Sequence, residues 1–130
     1  MASFEMALGD FLKMGYLMGA AQCRKALADI LCEQSKRTAA IDMLKLARDG
    51  FFLTGDHLAA AGCLLKWGEA LSTSGNYIEA VEKTSAALRE LLQIGDQAGV
   101  EQCQHILASL PAIQPHFVTL VGVLNGFMSV

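Results

Sequence analysis

The chain has 130 residues, with 10 basic and 13 acidic side chains and a formal net charge of -3. That length suits one domain with a core of its own. No run of Lys or Arg exceeds two residues, so the charge pattern disfavours a nucleic-acid-binding surface. The first residues lack the basic start and unbroken apolar stretch of a secretory signal. A cytosolic or nuclear location is the default, and we expect a cytoplasmic protein.

The sequence repeats itself every 40 residues. Cys23, Cys63 and Cys103 are equally spaced, and a glycine stands eight residues before each of them. Apolar pairs precede each of these glycines at the same register, namely Phe11 and Leu12, Phe51 and Phe52, and Leu91 and Leu92. A fixed period of this length indicates stacked supersecondary units, because one unit cannot bury its own apolar face.

The apolar pattern predicts six helices separated by short turns. The period 56–95 shows it best, because apolar residues three and four apart precede Gly75 and a second such run follows it. Phe51 and Phe52 are both expected to face inward, as is Leu58. The expected bounds of the helices are 4–14, 19–34, 37–53, 57–72, 77–94 and 97–110.

These helices predict an all-α fold, an α-solenoid of antiparallel helix pairs. The chain opens partway into a repeat, and Pro111 interrupts the last one because proline cannot continue a helix. We therefore interpret the chain as a window on a longer array. The expected organisation is a repeat domain over 1–110 and an apolar tail over 111–130, the domain comprising a partial repeat 1–15, repeats 16–55 and 56–95, and a partial repeat 96–110.

The four cysteines are expected to be packing residues. Stacked helices hold equivalent positions roughly 10 Å apart, which is too far for disulfides among Cys23, Cys63 and Cys103. Cys32 has no Cys or His at the spacing of two to four residues that a metal site uses. We expect no metal and no cofactor.

At these positions the chain resembles tetratricopeptide repeats (TPR) of a long variety, with 40 residues per unit. The likeness covers residues 1–110. It departs at Thr84, where the family usually has an aromatic residue, and at Leu92, where proline is frequent. The matching residues are Leu64, Trp67, Gly68, Leu71, Gly75, Tyr77, Ala80, Ala87 and Leu88, and in the preceding repeat Leu27, Ala28, Leu31, Ala40, Leu44 and Ala47.

Two further likenesses bear on the family. Gly55-Asp56 before Cys63, with a closing Gly95-Asp96, is similar to TPR arrays at the C-terminal end of fungal NLR-like signal-transduction NTPases. HEAT and armadillo repeats have a similar period. They rank second, because they lack small-residue pairs such as Gly68 and Ala80.

The resemblance implies a TPR-like superhelix whose first helices line a concave groove, and such grooves bind a peptide or helix of a partner protein. A chaperone carboxylate clamp is not expected: Lys25 fits one of its places, but Asp29 stands where an asparagine is needed. The alternative is that the face is only solvated. The candidate partner-binding residues flank the buried stripe of each first helix and are Gln22, Lys25, Asp29, Glu33, Lys66, Glu69, Thr73, Gln102 and His105.

No catalytic motif stands out, and we expect that the protein is not an enzyme. The chain has no Gly-rich phosphate loop and no G-x-S-x-G sequence. The histidines His57, His105 and His116 lie at unrelated registers. Asp29 and Glu33 are four residues apart on a helix, a spacing that usually gives a solvated pair.

The tail from His116 to Val130 is 15 residues long with polar residues inside it, and a membrane-spanning helix needs about 20 apolar residues. We expect that this tail packs over the last repeat as a cap. The alternatives are that it drives homo-oligomerisation or that it is an aberrant terminus without a role.

The sequence leaves two functions open for the chain. The first is a peptide-binding adaptor or scaffold; the second is a structural or self-associating segment of a larger NTPase-type receptor.

Overall fold

The computed structural model describes residues 2–111, and six α-helices make up most of that range. No β-strand occurs between residues 2 and 111, which confirms the all-α prediction for that range. The predicted tail, apart from Pro111, lies outside the described residues. The helices are α1 (Ala2–Met14), α2 (Leu17–Glu33), α3 (Arg37–Leu53), α4 (His57–Thr73), α5 (Tyr77–Ile94) and α6 (Gln97–Ser109).

A residue with positive φ stands in each of the five turns, once every 20 residues; these are Gly15, Ser35, Gly55, Gly75 and Gly95. In the turn after α3, the backbone N–H of Gly55 donates to the Phe52 carbonyl at 3.1 Å, and that of Asp56 donates to the Phe51 carbonyl at 2.9 Å. These two bonds satisfy carbonyls that the end of α3 would otherwise leave unpaired. One helix with its following turn therefore spans about 20 residues, which is half of the 40-residue sequence repeat.

Trp67 lies at the junction of the core. It is half-buried and packs against all three apolar clusters of the described residues. Consecutive helices contact each other, and α4 also contacts α6. The clusters are centred on Leu64, Leu88 and Cys103; on Ala28, Leu44 and Cys63; and on Leu71, Val81 and Leu110.

Small residues let neighbouring helices approach closely. A Cβ atom on Gly68 would lie 3.1 Å from the backbone nitrogen of Thr84, closer than nearly all real Cβ contacts. Thr84 is fully buried in α5, and its hydroxyl has no hydrogen-bond partner among residues 2–111. A Cβ atom on Gly50 would lie 3.0 Å from the Cβ of Ala21 in α2. An aromatic residue at position 84, which the family would favour, has no room against α4.

The repeated cysteines are buried at equivalent places, as predicted. Cys23 is 7% exposed, and Cys63 and Cys103 are fully buried. Each occupies the same register of its helix in α2, α4 and α6. Their small side chains therefore serve helix packing.

Two residues expected to face inward are exposed. Phe52 is 54% exposed and Leu58 is 49% exposed, so the inward prediction is wrong for both. Phe51 takes the core position at 3% exposure, and the next residue on a helix points about 100° away. The Phe52 ring instead contacts His57 edge-on, with ring centroids 5.2 Å apart.

The close approach at Gly68 makes a testable prediction about two glycines of the same helix. Gly68→Ala should lower the free energy of unfolding by about 1–3 kcal/mol, because its methyl group overpacks the contact with Thr84. Gly62→Ala is the matched control, since a Cβ there meets nothing within 4 Å. It should raise the free energy by roughly 0.5–1 kcal/mol through helix propensity. Urea titrations of both variants test this, and a stabilising Gly68→Ala would contradict the proposed contact.

The positive φ at Ser35 makes a second prediction. Ser35→Gly should stabilise the fold by roughly 0.5–1 kcal/mol, because a left-handed conformation is strained for a residue with a Cβ. Gly55→Ser should lower stability by a similar amount, and its side chain would meet nothing within 4 Å, so only the backbone term changes. Thermal melts of the two variants give the measurement. Equal shifts of the same sign would rule out the backbone explanation.

Candidate functional site

A groove runs along α2, α4 and α6. It consists of two clefts, one of about 460 Å³ between α2 and α4 and one of about 660 Å³ between α4 and α6. Glu69 and Thr73 of α4 line both clefts, so the two clefts adjoin at this helix. Each cleft is within the size range of small-molecule and side-chain pockets.

Seven of the nine predicted contact residues line this groove. Two do not: Gln22 and Lys25 lie earlier in α2 and outside both clefts. The α2–α4 cleft brings together Asp29, Glu33, Lys66, Glu69 and Thr73; the α4–α6 cleft brings together Glu69, Thr73, Gln102 and His105.

Sequence reasoning missed several lining residues, although the 40-residue register could have found some of them. Ser109 is the third member of the series Asp29, Glu69 and Ser109, and Ser72 is the equivalent of Cys32. The start of α3 carries another missed residue, which only the fold brings to the cleft. The missed residues are Cys32, Arg37, Ala70, Ser72, Ala98, Glu101, Ile106 and Ser109.

The two clefts differ in charge. The α2–α4 cleft has acidic side chains on both helices and two basic ones, Arg37 and Lys66. The α4–α6 cleft has Glu69 and Glu101, and none of its described lining residues is Lys or Arg. These charged groups are mostly exposed and therefore act through water and are screened by salt. The groove is thus a polar, predominantly acidic surface.

Backbone carbonyls hold two of the groove hydroxyls. Thr73 Oγ1 donates to the Glu69 carbonyl at 2.9 Å, and Ser109 Oγ donates to the Ile106 carbonyl at 2.8 Å. Each acceptor lies one helical turn before its donor. The hydroxyl protons are therefore used within the helix, and the oxygens remain as acceptors for a ligand.

Cys32 is the cysteine that lines the groove. Burial raises the pKa of its thiol, and the carboxylates of Asp29 and Glu69 raise it further, against the opposing effect of Lys66 and Arg37. Burial also raises the pKa of the Cys63 and Cys103 thiols, in each case to about 11. These three thiols are protonated at neutral pH and are poor nucleophiles.

A third cleft, of about 400 Å³, lies between α3, α4 and α5. Its centre is Trp67, with Lys83 Nζ 4.3 Å and Lys45 Nζ 5.2 Å from the ring centroid. Beside it, Arg48 Nη2 lies 3.2 Å from Glu90 Oε1. The three cations of this cleft therefore interact with Trp67 and Glu90 of the chain itself, and these contacts connect α3, α4 and α5. The charged side chains of the groove, by contrast, are mostly exposed to solvent.

The described residues form neither a metal cluster nor a membrane-spanning helix. Within residues 2–111, no group of three or more His, Cys, Asp and Glu side chains could hold a metal ion. None of the six described helices is long and apolar enough to cross a bilayer. Of the histidines, His57 contacts Phe52, His105 lines the groove, and His116 lies outside the described residues.

No protein-family model matches the sequence, and searches of curated proteins and of solved structures found no match. The 40-residue period, the helix contacts and the groove therefore supply the grounds for assigning a function.

The charges around Cys32 make a prediction about its reactivity. We expect Cys32 to be the first thiol that iodoacetamide modifies in the folded protein, with a rate whose pH midpoint lies above 9. Glu69→Gln should shift this midpoint downward, and Lys66→Gln should shift it upward, because the two charges act on the thiolate with opposite sign.

Peptide mapping by mass spectrometry identifies the modified cysteine at each pH. Glu101→Gln is the matched control, since Glu101 lines the other cleft and its charge does not contribute to the Cys32 shift. An unchanged midpoint in Glu69→Gln, or faster modification of buried Cys23, would contradict the placement of Cys32 in the groove.

Proposed function

We propose that the chain is a TPR-like α-solenoid in which α2 pairs with α3 and α4 with α5, each pair antiparallel. The repeat of five turns at 20-residue intervals supports this arrangement, since each turn reverses the chain after a helix of similar length. The contact of Gly50, late in α3, with Leu17 and Ala21, early in α2, also supports it. In this arrangement α1 and α6 belong to partial repeats.

We further propose that the groove along α2, α4 and α6 binds an extended peptide or a helix of a partner protein. One observation carries this proposal: two adjoining clefts cross three helices of the same register and are lined at the equivalent positions Asp29, Glu69 and Ser109. Solenoids use such extended concave surfaces to bind partners. The protein would then act as an interaction module or scaffold.

The charge of the groove favours partners with basic side chains. Glu69 and Glu101 line the α4–α6 cleft without a neighbouring Lys or Arg in its lining. The α2–α4 cleft adds Asp29 and Glu33 and offers Lys66 to an acidic group. Complementary charge gives specificity and a faster encounter more than it gives affinity. A segment with a Lys or Arg beside Glu69 and an acidic residue nearer Lys66 would satisfy both clefts.

Two further aspects of this proposal concern chemistry and location. We infer a binding role without catalysis, because the groove thiol has a raised pKa and the groove carboxylates are exposed. All four cysteines are free, which is typical of a reducing compartment and supports a cytoplasmic location.

Selection of peptides from a random 12-residue phage display pool tests the proposed function. Peptides selected on the full-length chain should bind in the groove, and bound peptide should slow the iodoacetamide modification of Cys32. Glu69→Lys and Glu101→Lys should each weaken binding of Lys- or Arg-containing peptides at least fivefold, because an attractive pair becomes repulsive. Fluorescence anisotropy measures the dissociation constants.

Lys25→Glu is the matched control, since Lys25 lies on α2 but outside both clefts. It should leave the dissociation constants unchanged, and circular dichroism melts should show that all three variants are folded. The proposal fails when no peptide is selected. It also fails when Lys25→Glu weakens binding as much as the two groove variants do.

A further inference from the structure

Most of the exposed apolar side chains of the described chain lie near alternate turns. Thirteen large apolar side chains between residues 2 and 111 are exposed, and nine of them lie within five residues of Gly15, Gly55 or Gly95. These nine, called the apolar edge below, are Leu12, Met14, Tyr16, Leu17, Phe52, Leu53, Leu58, Leu92 and Ile94.

The two other turns have a different surface. Around Ser35 and Gly75 most of the exposed residues are polar, and Ile78 is the one exposed large apolar residue within five positions of either turn. In the antiparallel stack proposed above, alternate turns lie on opposite edges. The apolar side chains therefore collect on one edge of the molecule, and the other edge is polar.

Exposure at the apolar edge follows the sequence repeat. Leu12, Phe52 and Leu92 are 40 residues apart and are 47%, 54% and 45% exposed. Their neighbours Phe51 and Leu91 are only 3% and 1% exposed. Phe51 and Leu91 are thus buried and Phe11 is half-buried, whereas the next residue in each of the three places is exposed, so the exposed stripe is a periodic feature of the fold.

The size of the edge fits a protein interface. Nine large side chains that are about half exposed present together on the order of 1,000 Å² to solvent, distributed over three turns. One partner in a stable complex contributes about 800 Å². The edge is therefore large enough for one side of a stable dimer.

The spacing and the charge of the apolar edge indicate which kind of partner covers it. A covering surface must present apolar groups at the spacing of the repeats, and a second copy of the chain does so when a two-fold axis passes through the edge. Charges of both signs border the edge, among them Asp10, Lys13, Asp49 and Asp56, which does not suit an anionic lipid surface. We propose that two copies of this chain associate through their apolar edges, with Phe52, the middle member of the stripe, at the two-fold axis.

This proposal rests on the stacked arrangement and not on peptide binding, because the edge and the groove share no residue. Sedimentation equilibrium of the full chain should give twice the mass of one 13.9 kDa chain at micromolar concentration. Leu53→Glu, at the most exposed position of the edge, should raise the dimer dissociation constant at least tenfold. Ile78→Glu replaces an exposed apolar residue at the opposite edge and should leave it unchanged.

Cysteine cross-linking tests the position of the axis, with Cys32→Ser as background. Phe52→Cys and Thr38→Cys place one exposed thiol at either end of the same helix, α3. Mild oxidation with copper phenanthroline should join two Phe52→Cys chains, each thiol losing a proton and an electron to the oxidant as the S–S bond forms. The Thr38→Cys chains should stay monomeric on a non-reducing gel.

Three results would overturn the proposal. A monomeric mass for the unmodified chain at 100-fold higher concentration is one, and equal effects of Leu53→Glu and Ile78→Glu are another. The third is a dimer that Val121→Glu with Leu124→Glu dissociates while Leu53→Glu does not. That last result would move self-association to the tail and would leave the groove proposal untouched.

Discussion

Contact of one side chain, Trp67, with three apolar clusters connects the helices from α2 to α6 into one core. Trp67 is followed in α4 by Gly68, where α4 and α5 come within Cβ contact, so the bulkiest residue type and the smallest are neighbours in this helix. The lysines Lys45 and Lys83 then cover the ring from α3 and α5. A large aromatic group buries much area, and cations over its face add roughly 0.5–1 kcal/mol each where solvent has access. The close packing of three successive helices depends on this arrangement, and with it the spacing of α2, α4 and α6 along the groove.

The helices were predictable from the sequence because their signals are local. Apolar periodicity and the glycines of the turns place α3 and α5 at their observed bounds, and the 40-residue register correctly predicts the burial of Cys63 and its equivalents.

The way in which two neighbouring helices pack against each other was not predictable from the sequence. Phe51 and Phe52 look alike in a hydrophobic pattern, and only packing against the neighbouring helix decides which one is buried. Packing also decides the position of Arg37, which reaches the groove from the start of α3. Lys25 has a register in the repeat that suggests the groove, but its position along α2 is outside both clefts. Sequence periodicity identifies a face of a helix; it does not determine how far along the helix a cleft extends.

The contrast between the groove and the cleft at Trp67 shows why one is the better binding surface. Both contain Lys, Glu and Asp side chains. At Trp67 the cations lie over the ring, and the neighbouring Arg48 pairs with Glu90, so a ligand would first have to displace existing contacts. In the groove, Glu69, Glu101 and Lys66 are exposed, and the structure gives Glu69 and Lys66 no ion-pair partner among the described residues. A ligand that meets Glu69 or Lys66 gains charge complementarity without breaking an ion pair among the described residues, and at Glu101 it competes only with an exposed hydrogen bond from Gln97 Nε2 at 3.4 Å. Its other cost is the lost hydration and side-chain freedom of the groups it orders.

A dimer through the apolar edge would change what the groove can do. The edge lies at the turns around Gly15, Gly55 and Gly95, whereas the groove lies along α2, α4 and α6, so pairing two copies leaves both grooves open. Each groove alone is polar and exposed, and a single extended peptide held mainly by screened charges would bind weakly. Two grooves on one rigid particle act together on a partner with two recognition segments, because binding of the first segment raises the effective concentration of the second to about the millimolar range for a short linker. Avidity of this kind can exceed either single affinity by about 10²–10⁴ without any new contact. The polar groove and the apolar edge are therefore complementary features. One groove alone would bind a peptide with low affinity, and pairing of two copies through the edge would raise the overall affinity by making the particle bivalent.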